Sequence, residues 1–295
     1  MLNLYHKIIN PVWMILFILS FQASFAAFEN ASEGADAPVC KTNANMMTNN
    51  GSCRTTPNTY EIAVFEMGLC TSHPFTNDGT KTDISTMDKS TCSTTFLASD
   101  QTNGSVLDIA NVIGGSVDLV GTSTRPPNGT YGFPYIILRE KFVVGISIVG
   151  NDGNTYNGNA NGNTVAGGTL VNYDDNLRNF TGGQNKCLSG YVGATIPIGT
   201  IDAFLTDTNL VRSESTGASH YDAGNDRCAK FGKLVGIINL TTPFTIDQNT
   251  IKMQFNFIVS DYGIHMTDTN NDGYPDAYGS APFSGTFTLT TAPQQ

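Results

Sequence analysis

Oxygen-bearing side chains stand at alternate positions in one short stretch of the sequence. Residues 268–276 read DTNNDGYPD, which gives the spacing D-x-N-x-D-G-x-x-D through Asp268, Asn270, Asp272 and Asp276. Carboxylate and amide oxygens at such positions can converge on one hard cation, and a glycine such as Gly273 permits the sharp turn between them. The spacing therefore predicts a calcium site.

The tripeptide Asn-Asp-Gly at the centre of this stretch is an internal control, because it occurs three times, at 77–79, 151–153 and 271–273. It is common in turns, so the tripeptide alone indicates no metal. The first two copies have no acidic residue four positions before or after their aspartate, and they predict ordinary turns. Only the third copy carries the whole set, although a polar hairpin tip without metal remains the alternative.

The stretch resembles the aspartate-rich repeats of thrombospondin type-3 modules and related loops of bacterial surface proteins. The resemblance covers residues 268–276 only. It implies side-chain ligation by Asp268, Asn270, Asp272 and Asp276, with a backbone carbonyl from Tyr274. The stretch departs from an EF-hand because Gly279 stands where a bidentate glutamate would be. We therefore expect weak calcium affinity, about 10⁻⁴–10⁻³ M, and a structural role.

Other possible chemistry is sparse in the sequence. No G-x-S-x-G, H-E-x-x-H or P-loop motif occurs. The polar loop around Glu214 and His220 is the first place to look for a ligand, and Asp174-Asp175 is a possible carboxylate pair, but solvated loops are the simpler interpretation of both. His73 and His265 carry no motif.

A sugar-binding site needs aromatic platforms, and the only tryptophan, Trp13, lies in the predicted signal segment. Four tyrosines lie in predicted loops: Tyr156, Tyr173, Tyr274 and Tyr278. The composition therefore lowers the expectation of a carbohydrate-binding module without removing it.

The first 26 residues are typical of a secretory signal peptide. Lys7 supplies the positive region, 13–21 is a short apolar run, and Ser24 and Ala26 fit the small residues before a cleavage site. We expect the mature chain to begin at Ala27, with no later apolar run of membrane length. The predicted location is extracellular, on the cell surface or periplasmic, and an uncleaved N-terminal anchor is the alternative.

All six cysteines lie after the predicted signal, and an even count in an exported chain predicts disulfides. Sequence alone leaves the pairing open. We favour sequential neighbours, because each such pair closes a local loop. The predicted bonds are Cys40–Cys53, Cys70–Cys92 and Cys187–Cys228.

The charge balance excludes some partners. The formal net charge is −10, which becomes −11 when Lys7 leaves with the signal, and only 14% of residues are charged. Such a chain has no basic patch for nucleic acid or anionic lipid. Other surface proteins or glycans are the partners that remain.

The dominant hydrophobic period is two, which predicts an all-β fold. Residues 251–259 and 283–290 alternate as strands with one buried face, and 60–70 changes phase as a bulge would. We predict a disulfide-stapled antiparallel β-sandwich, immunoglobulin-like or prealbumin-like, with long Gly/Asn-rich loops.

The predicted domain organisation is one sandwich over 59–295, after a poorly ordered segment at 27–58. If the Gly/Asn-rich stretch 151–168 is a linker rather than a hairpin loop, the chain instead has two β domains, 55–150 and 169–295. The segments 60–72, 106–115 and 128–138 are loosely similar to exported bacterial β-sandwich proteins.

Two functional hypotheses follow. The first is a non-enzymatic surface, adhesive or matrix protein with one structural calcium ion. The second is a secreted carbohydrate-binding module or hydrolase with a site built from loops.

Overall fold

The computed structural model of the chain describes residues 16–18, 37–40, 51–75, 85–177, 190–196, 198–212, 231–281 and 284–291. Backbone alone is described at 16–18 and 284–291. In chain order the strands are β1 (Leu16–Ile18), β2 (Ser52–Thr55), β3 (Thr59–Cys70), β4 (Cys92–Ala98), β5 (Ser105–Asp108), β6 (Ser116–Asp118), β7 (Gly121–Ser123), β8 (Gly129–Tyr131), β9 (Phe133–Leu138), β10 (Lys141–Gly145), β11 (Ser147–Val149), β12 (Thr155–Gly158), β13 (Thr164–Ala166), β14 (Tyr173–Asn176), β15 (Tyr191–Ile196), β16 (Gly199–Thr206), β17 (Lys233–Leu240), β18 (Phe244–Ile246), β19 (Thr250–Ile258), β20 (Ile264–Thr267), β21 (Ala277–Ser280) and β22 (Ser284–Thr291).

The all-β prediction is confirmed over the described residues, where the strands pair antiparallel and the only helix is a 3₁₀ turn at Ala110–Val112. No helix in this part of the chain is long and apolar enough to cross a membrane.

One ten-stranded sheet forms the centre of the fold. Its main path runs β14-β10-β3-β9-β17-β16-β15, with β4 and β5 paired to β3 and β7 paired to β4. The sheet takes strands from both sides of 151–168, since β10 pairs with β14 and β9 pairs with β17. The stretch 151–168 itself contains the hairpin β12–β13, which forms a three-stranded sheet with β11.

The long strand β3 contains the predicted irregularity. Its register against β9 shifts between Val64 and Glu66, and its register against β4 shifts between Met67 and Gly68. An extra residue in one strand rotates the following side chains to the other face, which is why the apolar pattern of 60–70 changes phase.

Both faces of this sheet are buried. Tyr135 and Ile137 belong to one buried cluster, here the second core cluster, while Ile136 and Leu138 belong to the first core cluster. Neighbouring residues of a strand point to opposite faces, so the clusters lie on opposite sides of the sheet. The first core cluster also contains side chains of β19, β20 and β21.

The prediction that β19 has one buried face is wrong. Gln254 and Asn256 are buried together with Phe255 and Phe257, whereas Ile251 is 51% exposed. Both sides of the middle of this strand are therefore covered, and the alternation seen in the sequence does not separate a core face from a solvent face. β1, in the predicted signal segment, lies against β19.

Two disulfides are present, Cys40–Cys53 and Cys70–Cys92, both as predicted. Cys70 and Cys92 are cross-strand partners of β3 and β4, so the bond joins strands that are already paired. The predicted Cys187–Cys228 pair lies outside the described residues.

Candidate functional site

The predicted calcium stretch connects β20 to β21. Thr267 and Ala277 are the last paired residues of this hairpin, and the Asp276 N–H donates to the Thr267 carbonyl at 2.8 Å. Two residues of the connection adopt left-handed backbone, Asn271 with φ 62° and Gly273 with φ 91°. Asparagine and glycine are the residues that adopt this conformation most readily, so the local sequence suits a sharp reversal.

The Asp268 carboxylate holds the inside of this turn. It is 9% exposed, and it accepts the N–H of Gly273 at 2.7 Å and the N–H of Asp272 at 3.2 Å. The Asn270 side-chain oxygen also accepts the Asp272 N–H, at 2.9 Å. The side chains predicted as ligands therefore shape the loop through its own backbone.

The Asp276 carboxylate holds the other side of the loop. One oxygen accepts the Thr269 N–H and hydroxyl, both at 2.8 Å, and the Asn270 N–H at 3.0 Å. The second oxygen accepts the Asn270 side-chain amide at 3.1 Å. Desolvation acts to raise the pKa of Asp276, but these hydrogen bonds outweigh it and leave the pKa below its usual value.

The donor chemistry of the loop fits a hard cation. Three carboxylates, an amide oxygen and backbone carbonyls are the ligand types that calcium takes, and a carboxylate oxygen with one hydrogen bond keeps a lone pair. Among the described residues, however, no three His, Cys, Asp or Glu side chains group closely enough to hold a metal by themselves. A calcium ion here would therefore depend on Asn270 and on the Tyr274 carbonyl as well as on the aspartates.

Three other segments meet at this loop. The Asp268 N–H donates to the Gly51 carbonyl at 2.7 Å, just before β2. The Thr164 N–H, at the start of β13, donates to the Asp276 carbonyl at 2.9 Å, and the Thr164 hydroxyl donates to the Pro275 carbonyl. The loop thus joins the β2 segment to the β12–β13 hairpin.

The third segment is the Asn-Asp-Gly copy at 151–153, which the sequence predicts to be an ordinary turn. Tyr274 donates its hydroxyl to the Asn151 side chain at 2.7 Å and stacks on Tyr156, with ring centroids 5.2 Å apart and planes 8° apart. Tyr156 in turn donates to Asp152 at 2.9 Å. The 151–153 turn therefore packs on the 268–276 loop, and the local sequence of neither segment predicts this contact.

Most other sequence candidates have structural partners. Asp174 pairs with Lys141 at 2.8 Å, whereas Asp175 accepts the Ser280 N–H and hydroxyl at 2.6 and 2.7 Å, so the two carboxylates do not act as a pair. His265 lies in β20 between Arg54 and Gly279 of the neighbouring strands. Glu214 and His220 lie outside the described residues.

The four tyrosines that are candidates for sugar binding also contact other residues of the protein. Tyr278 is buried, and its hydroxyl lies 3.2 Å from the Asn159 carbonyl. Tyr173 packs edge-on against Tyr278, with centroids 6.0 Å apart. Because Tyr156 and Tyr274 stack on each other, each covers a ring face that a sugar would need.

Sequence reasoning missed a polar cluster built around Asp202. This buried carboxylate accepts the Tyr191 hydroxyl at 2.8 Å and the Asn239 amide at 2.7 Å, and it lies 3.2 Å from His73 Nε2. His73 Nδ1 is engaged by the backbone of Phe75. Both ring nitrogens are thus occupied, which leaves none to accept a proton from a substrate.

Asp202 and His73 are 129 residues apart, so no spacing motif could have found this cluster. Comparison of the chain with protein-family models, with curated proteins and with solved structures gave no match.

Proposed function

We propose that this chain is an exported, non-enzymatic β-sandwich protein that serves as a structural or adhesive component of the cell surface or extracellular space. One calcium ion at residues 268–276 would stabilise it. The observation that carries the proposal is that three segments remote in sequence meet at this loop, at Gly51, at Thr164 and at Asn151–Tyr156. A cation held there would fix all of them.

Side chains and backbone of the loop would both coordinate the ion. Asp268, Asn270, Asp272 and Asp276 would supply side-chain oxygens, and Tyr274 would supply a carbonyl. The ion would offset the repulsion among three aspartates within nine residues. Since the loop's own hydrogen bonds already order its backbone, binding would require little further ordering, and the proposed role is structural rather than sensory.

The sandwich assignment rests on the burial of the main sheet. Its first core cluster includes Phe255 of β19, Met266 of β20 and Tyr278 of β21, which belong to other sheets. Apolar side chains of separate sheets in one cluster are what face-to-face packing produces. Two disulfides are also in keeping with an oxidising compartment.

The alternative of a sugar-binding module or hydrolase has less support. The stacked tyrosines use their hydroxyls on Asn151 and Asp152, and His73 uses both ring nitrogens. The arrangement of these groups favours a framework role over catalysis. Partners of the proposed protein would be other surface proteins or glycans.

Calcium titration of the melting temperature tests the metal part of the proposal. With a dissociation constant of about 10⁻⁴–10⁻³ M, roughly 10 mM calcium should stabilise the fold by about 1.4–2.7 kcal/mol and raise Tm by about 3–10 °C. Asp272→Asn should remove most of this rise. Asp100→Asn, which alters a similar aspartate-capped turn, should leave it intact. No rise in the unaltered protein at 10 mM calcium would contradict the site.

Cell fractionation with a calcium chelator tests the role. Release of the protein from the surface on chelation would support calcium-dependent attachment. A protein recovered only from the periplasmic fluid, with or without chelator, would contradict the surface role while leaving the calcium measurement valid.

A further inference from the structure

Arg212 is a buried arginine held in place by two neighbouring segments. The Asp207 carboxylate accepts the N–H groups of Asn209 and Val211 at 2.8 and 2.9 Å, which shapes the turn after β16. Arg212 follows this turn, and its N–H donates to the Ser85 carbonyl at 3.0 Å. The side chain is only 1% exposed, so the backbone on both sides fixes a cation inside the protein.

The guanidinium of Arg212 has no hydrogen-bond partner within the described residues. Its Nε, Nη1 and Nη2 atoms are all buried and unpaired there, and so is the hydroxyl of the adjoining Ser85. The rings of Phe75 and Phe204 flank the guanidinium, with centroids 5.7 and 5.4 Å from its central carbon. The donors of the guanidinium and of the Ser85 hydroxyl therefore lie beside two aromatic rings, with no hydrogen-bond acceptor among the described residues.

An arrangement of this kind is unfavourable unless an acceptor is bound. Burial of an unpaired cation carries a desolvation penalty that the attraction of aromatic rings offsets only in part. Asp202, two residues before Phe204 on β16, binds Tyr191 and Asn239 and forms no hydrogen bond with the Arg212 guanidinium. An anion in contact with the guanidinium would supply both an acceptor and a compensating charge.

We propose that Arg212 and Ser85 form a binding site for a small oxyanion, meaning a carboxylate, sulfate or phosphate group with at least two acceptor oxygens. The planar guanidinium donates two parallel hydrogen bonds to such a group. The Ser85 hydroxyl supplies a third donor, and Phe75 and Phe204 exclude water. This site is independent of the calcium loop.

The test uses the full chain in a chloride buffer of constant ionic strength, with inorganic phosphate and acetate as separate probes. Each should raise Tm by about 3–5 °C for every tenfold increase in concentration above its dissociation constant. Equilibrium dialysis with labelled phosphate should give one site per chain. If only phosphate acts, the ligand is a phosphate group; if acetate also acts, a carboxylate is sufficient.

Variants of Arg212 separate this site from general salt effects. Arg212→Met should abolish the response to both probes and, without them, should melt no lower than the unaltered protein, because it removes an uncompensated buried charge. Arg212→Lys should retain a weaker response. Arg139→Met, which alters a partly exposed arginine bonded to Asn103, should keep the full response.

The opposite pattern would overturn the proposal. If neither probe raises Tm or binds in dialysis, no anion site exists at Arg212, and a lower Tm of Arg212→Met without the probes would then mean that a carboxylate of the chain itself pairs with the guanidinium. A response that survives in Arg212→Met would likewise overturn the assignment, since binding would then lie elsewhere.

Discussion

Replacement of Asp268 by alanine removes the carboxylate that holds the turn between β20 and β21. Asp268 is buried and accepts two backbone N–H groups, from Gly273 at 2.7 Å and from Asp272 at 3.2 Å. Gly273 is itself buried, so its N–H would lose its acceptor in a place that water does not readily reach. The substitution should therefore destabilise the fold even when no calcium is present.

The magnitude follows from these two bonds. A hydrogen bond to a charged group contributes about 1.5–3 kcal/mol when buried. The short hydrogen bond from Gly273 should contribute a free energy in this range, and the longer bond from the exposed Asp272 should contribute less. We expect a loss of about 2–4 kcal/mol, or about 5–15 °C in Tm for a chain of this size. Asp268→Asn keeps one acceptor oxygen and should lose about half as much.

Urea denaturation in a chelator measures this loss without a contribution from calcium. Asp100→Ala is the matched control, because Asp100 accepts the N–H groups of Thr102 and Asn103 at 2.8 and 2.9 Å in an exposed turn, where water replaces the carboxylate. If Asp268→Ala is no more destabilising than Asp100→Ala, the carboxylate does not hold the loop as argued, and preorganisation of the calcium site fails with it.

Two further predictions concern the main sheet. Replacing Cys70 and Cys92 together by serine opens a loop with a sequence separation of 22 and should cost about 3 kcal/mol in urea denaturation, while a loss below about 1 kcal/mol would mean that the β3–β4 pairing makes the bond redundant. Burial lowers the pKa of Lys233 to about 8, and Arg139 acts in the same direction. Between about pH 8 and the unfolded pKa near 10.5, the unfolded chain holds a proton that the folded chain has lost, so stability should rise with pH in that window. Lys233→Met should flatten that rise relative to the unaltered protein, and identical slopes in the two proteins would contradict the shifted pKa.

The features that sequence predicts best are those that depend on neighbours along the chain. The phase change within 60–70 indicated a bulge, and β3 has shifted registers at that place. Cys40–Cys53 and Cys70–Cys92 are bonds between sequential cysteines. The turn chemistry of 271–273 also predicted the reversal, since left-handed backbone falls on Asn271 and Gly273.

The features that sequence missed depend on which surfaces meet. Period-two alternation distinguishes two faces of a strand, but it cannot tell whether a second layer covers the polar face. For that reason the alternation places Gln254 and Asn256 on the solvent face, although both are buried. The same limit hid the contact between Tyr274 and the 151–153 turn, because Asn151 is 123 residues away and its own neighbours carry no metal-site spacing.

Buried polar groups near the second core cluster differ in how many hydrogen-bond partners the described residues give them, and the proposed anion site at Arg212 rests on this difference. Glu66 is buried, yet it accepts from the Tyr135 hydroxyl at 2.6 Å and from Lys89 at 2.9 Å. Asp202 is equally well supplied with donors. Arg212, whose guanidinium lies near the Phe75 and Phe204 rings, has donors on three nitrogens and no acceptor among the described residues. Because the fold supplies donors to both buried acids, the lack of an acceptor for Arg212 among the described residues supports the proposal that its guanidinium binds an anion.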